Sequence, residues 1–197
     1  MADWIVPSLP GLVVPVTPRL RLRQWCDSDR AAFAAMNADP AVMRYFAGLV
    51  SAEDSDRSIA AWQQAITERG WANWAVEERT SGAFIGFVGL SMPRRVFAFS
   101  PCVEIGWRLA RGHWGQGLAT EAARAVLQVG FDALRLDQVV SFTSLVNAPS
   151  RAVMQGIGMR NSGEDFDHPA LPEGSPLRRH CLYRLTGDEW RSQRAAG

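Results

Sequence analysis

The sequence predicts an α/β (α+β) fold, on three observations. Short runs that alternate apolar and polar residues read as strands, segments with apolar residues at helical spacing lie between them, and glycine- or proline-bearing clusters separate the two kinds. In chain order these give a strand, two helices, three strands, a helix, a strand, a helix and further strands. Helices are thus inserted into a mixed sheet.

With 197 residues, 47% hydrophobic and 21% charged, the chain is long enough for one substantial core. Its 21 Lys and Arg nearly balance its 20 Asp and Glu, leaving no overall field to draw it onto nucleic acid or an anionic membrane. Cys26, Cys102 and Cys181 are an odd number without the CxxC or Cys/His spacing of a metal site. No basic stretch precedes a long apolar run at the N-terminus, and Pro15 interrupts the apolar residues from Leu12 to Val16. The expectation is a cytoplasmic protein without metal, disulfide, signal peptide or membrane span.

Each element has a local cause. Residues 1–16 form a proline-rich arm, in which Pro7, Pro10 and Pro15, with Gly11, oppose regular structure and suggest a segment lying on the surface or on a neighbouring subunit. A single domain follows over 17–197. Residues 20–25 alternate as a half-buried strand, and Asp27-Ser28 then caps a helix to about Asn37. Ser51, with Glu53 and Asp54 behind it, opens a second helix toward Arg69 that carries Ile59, Trp62 and Ile66 at helical spacing.

Residues 74–77 and 84–90 read as strands joined through Thr80-Ser81-Gly82, and 103–109 as a further strand. From 118 to about 134, Glu121, Arg124, Gln128 and Asp132 share one helical face, leaving an alanine- and valine-rich remainder to pack on a sheet. Residues 138–143 read as a strand, 149–157 as a short helix ended by Gly156 or Gly158, and 180–185 as a last strand.

The segment carrying chemistry runs from Glu104 to Ala122. Gly115 and Gly117, spaced by one residue before a helix, let backbone N–H groups turn toward an anion that also meets the positive helix end. A glycine loop alone can equally serve tight strand-to-helix packing, so context decides. No Lys follows Gly117, as a P-loop requires, and the third glycine of a dinucleotide fingerprint is missing.

In this context the segment Gly112-His113-Trp114-Gly115-Gln116-Gly117 resembles the phosphate loop of the GNAT acetyltransferases, Gln/Arg-x-x-Gly-x-Gly/Ala at a helix start. Gly112 stands where that pattern has Gln or Arg, with Arg111 before it as a similar charge. The continuation Leu118-Ala119-Thr120-Glu121-Ala122 is similar to the branch containing the ribosomal-protein N-terminal acetyltransferases (RimJ/RimL type). So are Thr17-Pro18-Arg19-Leu20-Arg21-Leu22-Arg23 and the pair Asn147-Ala148-Pro149-Ser150-Arg151 with Gly158-Met159.

The resemblance implies a mixed, mostly antiparallel central sheet with flanking helices and a splayed cleft for acetyl-CoA. It implies acetyl transfer to a primary amine, of a protein N-terminus or a small molecule, by direct attack within a ternary complex. Pyrophosphate would lie on the loop of Arg111, Gly112, His113, Trp114, Gly115, Gln116 and Gly117 and on the helix start at Leu118, Ala119 and Thr120. Pantetheine would meet the backbone of Ile105, Gly106 and Trp107, and Asn147; Arg151 would reach phosphate or adenine at the cleft mouth. Gly106 is poor for strand packing and is explained by a ligand's close approach.

An amine attacks a thioester as the free base, so the protein must accept a proton, directly or through water, and a carboxylate near the acyl carbon can do this. Glu104 sits on the matching strand, with an edge residue or an arginine's salt-bridge partner as its alternative; His113 and Glu77 are weaker substitutes. The position where many members of the family carry a proton-donating Tyr aligns with Met154, so Ser150 or water would protonate the leaving thiolate, or it leaves unaided. That Met keeps open a non-catalytic acyl-CoA-binding sensor. His168, Trp71 and Tyr45 are candidates for the acceptor pocket. The arm and the eight tryptophans suggest a homodimer, against the alternative that the tryptophans are core.

Overall fold

The computed structural model describes residues 6–195. Eight strands form one sheet: β1 (Leu20–Arg23), β2 (Asn73–Glu78), β3 (Phe84–Ser91), β4 (Glu104–Leu109), β5 (Gln138–Ser144), β6 (Arg160–Asn161), β7 (Phe166–Asp167) and β8 (Arg179–Thr186). Their order is β1-β2-β3-β4-β5-β8-β6, with β7 also on β8. Every pairing is antiparallel except β4 with β5. The helices are α1 (Asp29–Asn37), α2 (Pro40–Met43), α3 (Ala52–Arg69), α4 (Leu118–Gln128), α5 (Ala148–Gly156) and α6 (Gly187–Ala195). This is the mixed, mostly antiparallel architecture expected.

Side-chain alternation along β4 divides the two faces. Ile105 and Leu109 are buried toward α4, which packs across β3 and β4. Glu104, Gly106 and Arg108 point the other way, in register with Ser91, Gly89 and Phe87 of β3. Phe87 meets Phe33 of α1 and Trp62 of α3, and Trp25 and Phe84 complete that aromatic layer. Helices α1 and α3 therefore cover one face of the sheet and α4 the other.

Local signals account for most boundaries. The Ser51 hydroxyl accepts from Asp54 N at 3.0 Å, and α3 ends at Gly70 in the left-handed region. The helix expected over 118–134 is α4 followed by a wider turn at Val129–Ala133, where Leu134 N donates to Val129 O.

Ser28 precedes α1 but makes no side-chain cap. The carboxylate of Asp29 accepts from Cys26 N and from Arg23 instead, because the guanidinium on β1 is the stronger partner. Between α5 and β8 lie β6 and β7, two residues each. Beyond β8 lies α6, an addition to the expected elements. Thr186 and Glu189 exchange bonds as a capping box at its start.

Residues 6–16 of the arm lie on their own domain. Pro7 O and Val13 O accept from the indole N–H groups of Trp71 and Trp74 at 2.8 and 3.0 Å, and Leu9 N donates to Arg69 O. Both indoles are fully buried, so the arm supplies the acceptors that two core tryptophans require. Trp71 is thus a core residue, which removes it from the acceptor pocket. Among the described residues no helix is long and apolar enough to cross a membrane.

Candidate active site

Strands β4 and β5 touch at one register pair, Glu104 with Val140, and are pinned there by Val140 N on Val103 O and the Ser141 hydroxyl on Ile105 O, both at 2.9 Å. Beyond Ile105 they separate, and backbone groups on that side of β4 have no strand partner among the described residues. The gap opens into a cleft of about 640 Å³. Its walls come from β4, the loop after it, the start of α4, the end of β5, α5, and α2 with the residues that follow.

At the cleft's end the chain leaves β4 through a tight turn at Arg111–His113 and doubles back, with the Trp114 indole N–H on Leu109 O at 2.8 Å. Gly115 and Gly117 have φ of +72° and +74°, which a residue with a Cβ adopts at a cost of about 1 kcal/mol. A Cβ on Gly115 would meet nothing within 4 Å, and one on Gly117 only the tip of Arg19 at 3.7 Å. Close packing therefore explains neither glycine. Gly117 caps α4, whose first N–H groups have no helical acceptor and point out of the helix end.

The loop is held from the residues just before β1. Glu121, in the first turn of α4, accepts from the Thr17 hydroxyl, Arg19 N and Arg19 Nε, while Arg19 Nη1 donates to Gln116 O. Against the desolvation that opposes it, these bonds keep the Glu121 carboxyl below its ordinary pKa. The segment 17–23 and the segment 118–122, more than a hundred residues apart, thus form one structural unit.

Glu104 lines the cleft and is its only carboxylate among the described residues. It makes no ion pair there, so the salt-bridge alternative fails. Burial without a cation pushes its pKa up to about 8. Glu77, the weaker substitute, is committed to Arg23 at 2.6 Å and to Arg21 and does not line the cleft. His113 does.

On the α5 side, Asn147 caps the helix: its side-chain carbonyl accepts from Ser150 N and its amide donates to the Thr143 hydroxyl. Both Asn147 and Ser150 border the cleft. Met154 is buried in the core. Ile105, Gly106, Trp107, His113, Trp114, Gly115, Gly117, Leu118, Ala119 and Thr120 all line the cleft, whereas Arg111, Gly112, Gln116 and Arg151 do not. Arg151 turns away to donate to Leu145 O, and Gln116 folds onto Gly112 O. Tyr45 lines the cleft; His168 packs against His180 and Phe97 outside it. A Cβ on Gly106 would meet nothing within 4 Å, so the protein's own packing does not call for glycine there.

One cleft residue, Arg108, and the buried Asn37 behind it escape sequence reasoning. Arg108 looks like any polar residue of an alternating strand, and Asn37 like a helix end, yet Arg108 Nη1 donates to Asn37 Oδ1 at 2.6 Å. Contacts across seventy residues leave no local signal.

The Acetyltransferase (GNAT) domain family matches residues 19–160. The chain is 36% identical over 150 residues to the uncharacterized protein YkkB of Bacillus subtilis, covering 75% of this chain and 85% of that one. It is 29% identical over 181 residues to the FsC-acetyl coenzyme A-N(2)-transacetylase of Aspergillus fumigatus, covering 88% and 76%. Its fold superposes with a TM-score of 0.74 and 25% identity on a GNAT-family acetyltransferase from Bacillus anthracis, over 89% of this chain and 99% of that one. With the splayed strands and the glycine loop at the start of α4, these matches place the chain in the GNAT family of N-acetyltransferases.

Proposed function

We propose that the cleft binds acetyl-CoA and transfers its acetyl group to a primary amine by direct attack, the two substrates being held together in a cytoplasmic enzyme. The observation that carries this reading is the pair Gly115 and Gly117, left-handed and open at the N-terminus of α4. The name of the Aspergillus relative, which contains acetyl coenzyme A as donor, agrees with it. Pyrophosphate is received by the N–H groups of residues 117–120 and the helix dipole, and pantetheine by the unpaired edge of β4 beyond Ile105.

Glu104 then accepts the amine's proton, directly or through one water, as the nitrogen bonds to the acyl carbon. Its raised pKa suits a base working near neutral pH. As the C–S bond breaks, the thiolate takes a proton from water or from the Ser150 hydroxyl at the start of α5. Orientation of the two substrates in one cleft supplies the larger part of the acceleration.

A CoA-release assay over a panel of small amines and peptides, with both substrates varied, tests this. Expected are intersecting initial-velocity lines and N-acetylated product; parallel lines would indicate an acyl-enzyme and contradict direct attack. The buried Met154, at the position where the resemblance implies a proton donor, favours a second reading, a non-catalytic acyl-CoA sensor. Tight binding with no turnover across the panel would select it.

A further inference from the structure

The face of the cleft opposite α4 carries a cation that the transfer chemistry does not use. Arg108 is largely buried, and among the described residues it has no carboxylate partner. Its contacts are the neutral side chain of Asn37 at 2.6 Å and the rings of Phe46 and Phe87, whose centroids lie 4.1 and 5.4 Å from the guanidinium carbon. Its Nε is buried with no hydrogen-bond acceptor. A guanidinium in such a place is ordinarily paired with an anion. Burial lowers its pKa to about 10, which leaves it charged at neutral pH.

The support behind Arg108 is built to hold it still. Asn37, itself buried, donates to the Ser55 hydroxyl at 2.9 Å, and Ser55 donates to Ser51 O at 2.8 Å. This chain of bonds fixes one guanidinium nitrogen and leaves the other donors unspent. A second cation, Arg44, stands on the cleft wall over the Tyr45 ring. Glu104, the only cleft carboxylate among the described residues, is four positions along β4 from Arg108, about 13 Å between Cα atoms at the rise of a strand. One end of the acceptor face thus receives a proton and the other offers a fork of donors.

We propose that the acceptor is a small amine bearing an oxyanion, carboxylate or phosphate, which pairs with Arg108 while its amine is presented at Glu104. This rests on the acetyltransferase reading and names its substrate class. The cofactor's phosphates are an unsuitable partner for Arg108, since their cradle is the start of α4 on the far side of β4.

The test uses matched probes: β-alanine against β-alaninamide, aminoethylphosphonate against ethanolamine, and a peptide with a neutral N-terminal sequence. Each is assayed for turnover with acetyl-CoA and titrated calorimetrically into CoA-loaded protein. The oxyanion member of a pair is expected to show kcat/KM roughly 100-fold above its neutral counterpart. Arg108→Gln is expected to abolish that preference, lowering kcat/KM for the oxyanion member of a pair far more than for its neutral counterpart, with acetyl-CoA affinity retained. Asn37→Asp, which gives Arg108 an internal carboxylate at the same contact, is expected to reduce the preference without removing the cation, and covers the case in which Arg108→Gln fails to fold.

Carboxylate and phosphonate arms separate the two anion sources. Equal or better use of neutral amines or of the peptide, or an equal loss for both members of a pair in Arg108→Gln, would overturn the assignment. Arg108-dependent binding of the anionic amines to the CoA complex without turnover would support it while overturning the transfer reading.

Discussion

Replacing Glu104 by glutamine keeps the side chain's size and removes its proton chemistry, so two independent readouts follow from one substitution. Burial raises the carboxyl from the ordinary 4.5 to about 8. The unfolded chain therefore releases this proton from about pH 4.5 upward, while the folded protein retains it until about pH 8. The folded state binds the extra proton across that window, so stability falls as pH rises through it and is level above. At about 1.36 kcal/mol per pH decade the loss is about 3 kcal/mol at pH 7 and approaches 5 kcal/mol above pH 8. Water entering the open cleft makes these figures ceilings.

Urea unfolding of wild type and Glu104→Gln at pH 5, 7 and 8.5 measures the effect. The two proteins are expected to match at pH 5, with the variant the more stable at pH 8.5. In turnover, wild-type kcat/KM is expected to rise with pH through a midpoint near 8. The variant should lose this limb and at least about 100-fold in kcat, with acetyl-CoA affinity unchanged. The same pH dependence of stability in both proteins would refute the buried, unpaired carboxyl; wild-type turnover in the variant would refute the base.

Three further outcomes follow from the geometry. Gly106→Ala is expected to fold and to weaken acetyl-CoA binding, whereas Gly89→Ala, whose Cβ would overlap Asn73 Cα and Ala72 O, is expected to give little folded protein; circular dichroism and calorimetry separate them. Arg19→Ala, which frees Gln116 and leaves Glu121 at the start of α4 without its cation, is expected to lower acetyl-CoA affinity about tenfold. Its cost in stability should be about 1 kcal/mol, since the Arg19 side chain is half-exposed. Starting the chain at Val16 strips the acceptors from Trp71 and Trp74. The truncated protein is expected to melt at least several degrees lower with altered tryptophan fluorescence, and light scattering on both forms tests whether the expected homodimer depends on the arm.

What the sequence discloses is what neighbouring residues decide. Alternation in residues 20–25, the apolar run of 84–90, the Ser51 cap, and the glycines before Leu118 are all local, and the fold places strands, helix and loop there. The Thr186-to-Glu189 capping box is equally local and marks the start of α6, an element outside the expected set. Strands β6 and β7 show no periodicity at two residues each and form only because β8 lies beside them. The cleft's acceptor face is illegible for a different reason. The Ser55, Asn37 and Arg108 chain joins α3, α1 and β4, and nothing in any one segment marks it. Arg151 shows the converse, since its helix position is as expected but its side chain follows the Leu145 carbonyl away from the cleft.

The cradle at the start of α4 is tested most directly by calorimetric titration of acetyl-CoA into wild type and Gly117→Val. The valine must take a φ of +74°, which a β-branched residue resists, and it adds bulk to the loop proposed to receive pyrophosphate. Saturable one-to-one binding by wild type is expected, with at least a hundredfold loss in a variant whose circular dichroism is unchanged. Equal affinity in the two proteins, or no binding by wild type, would contradict the assignment.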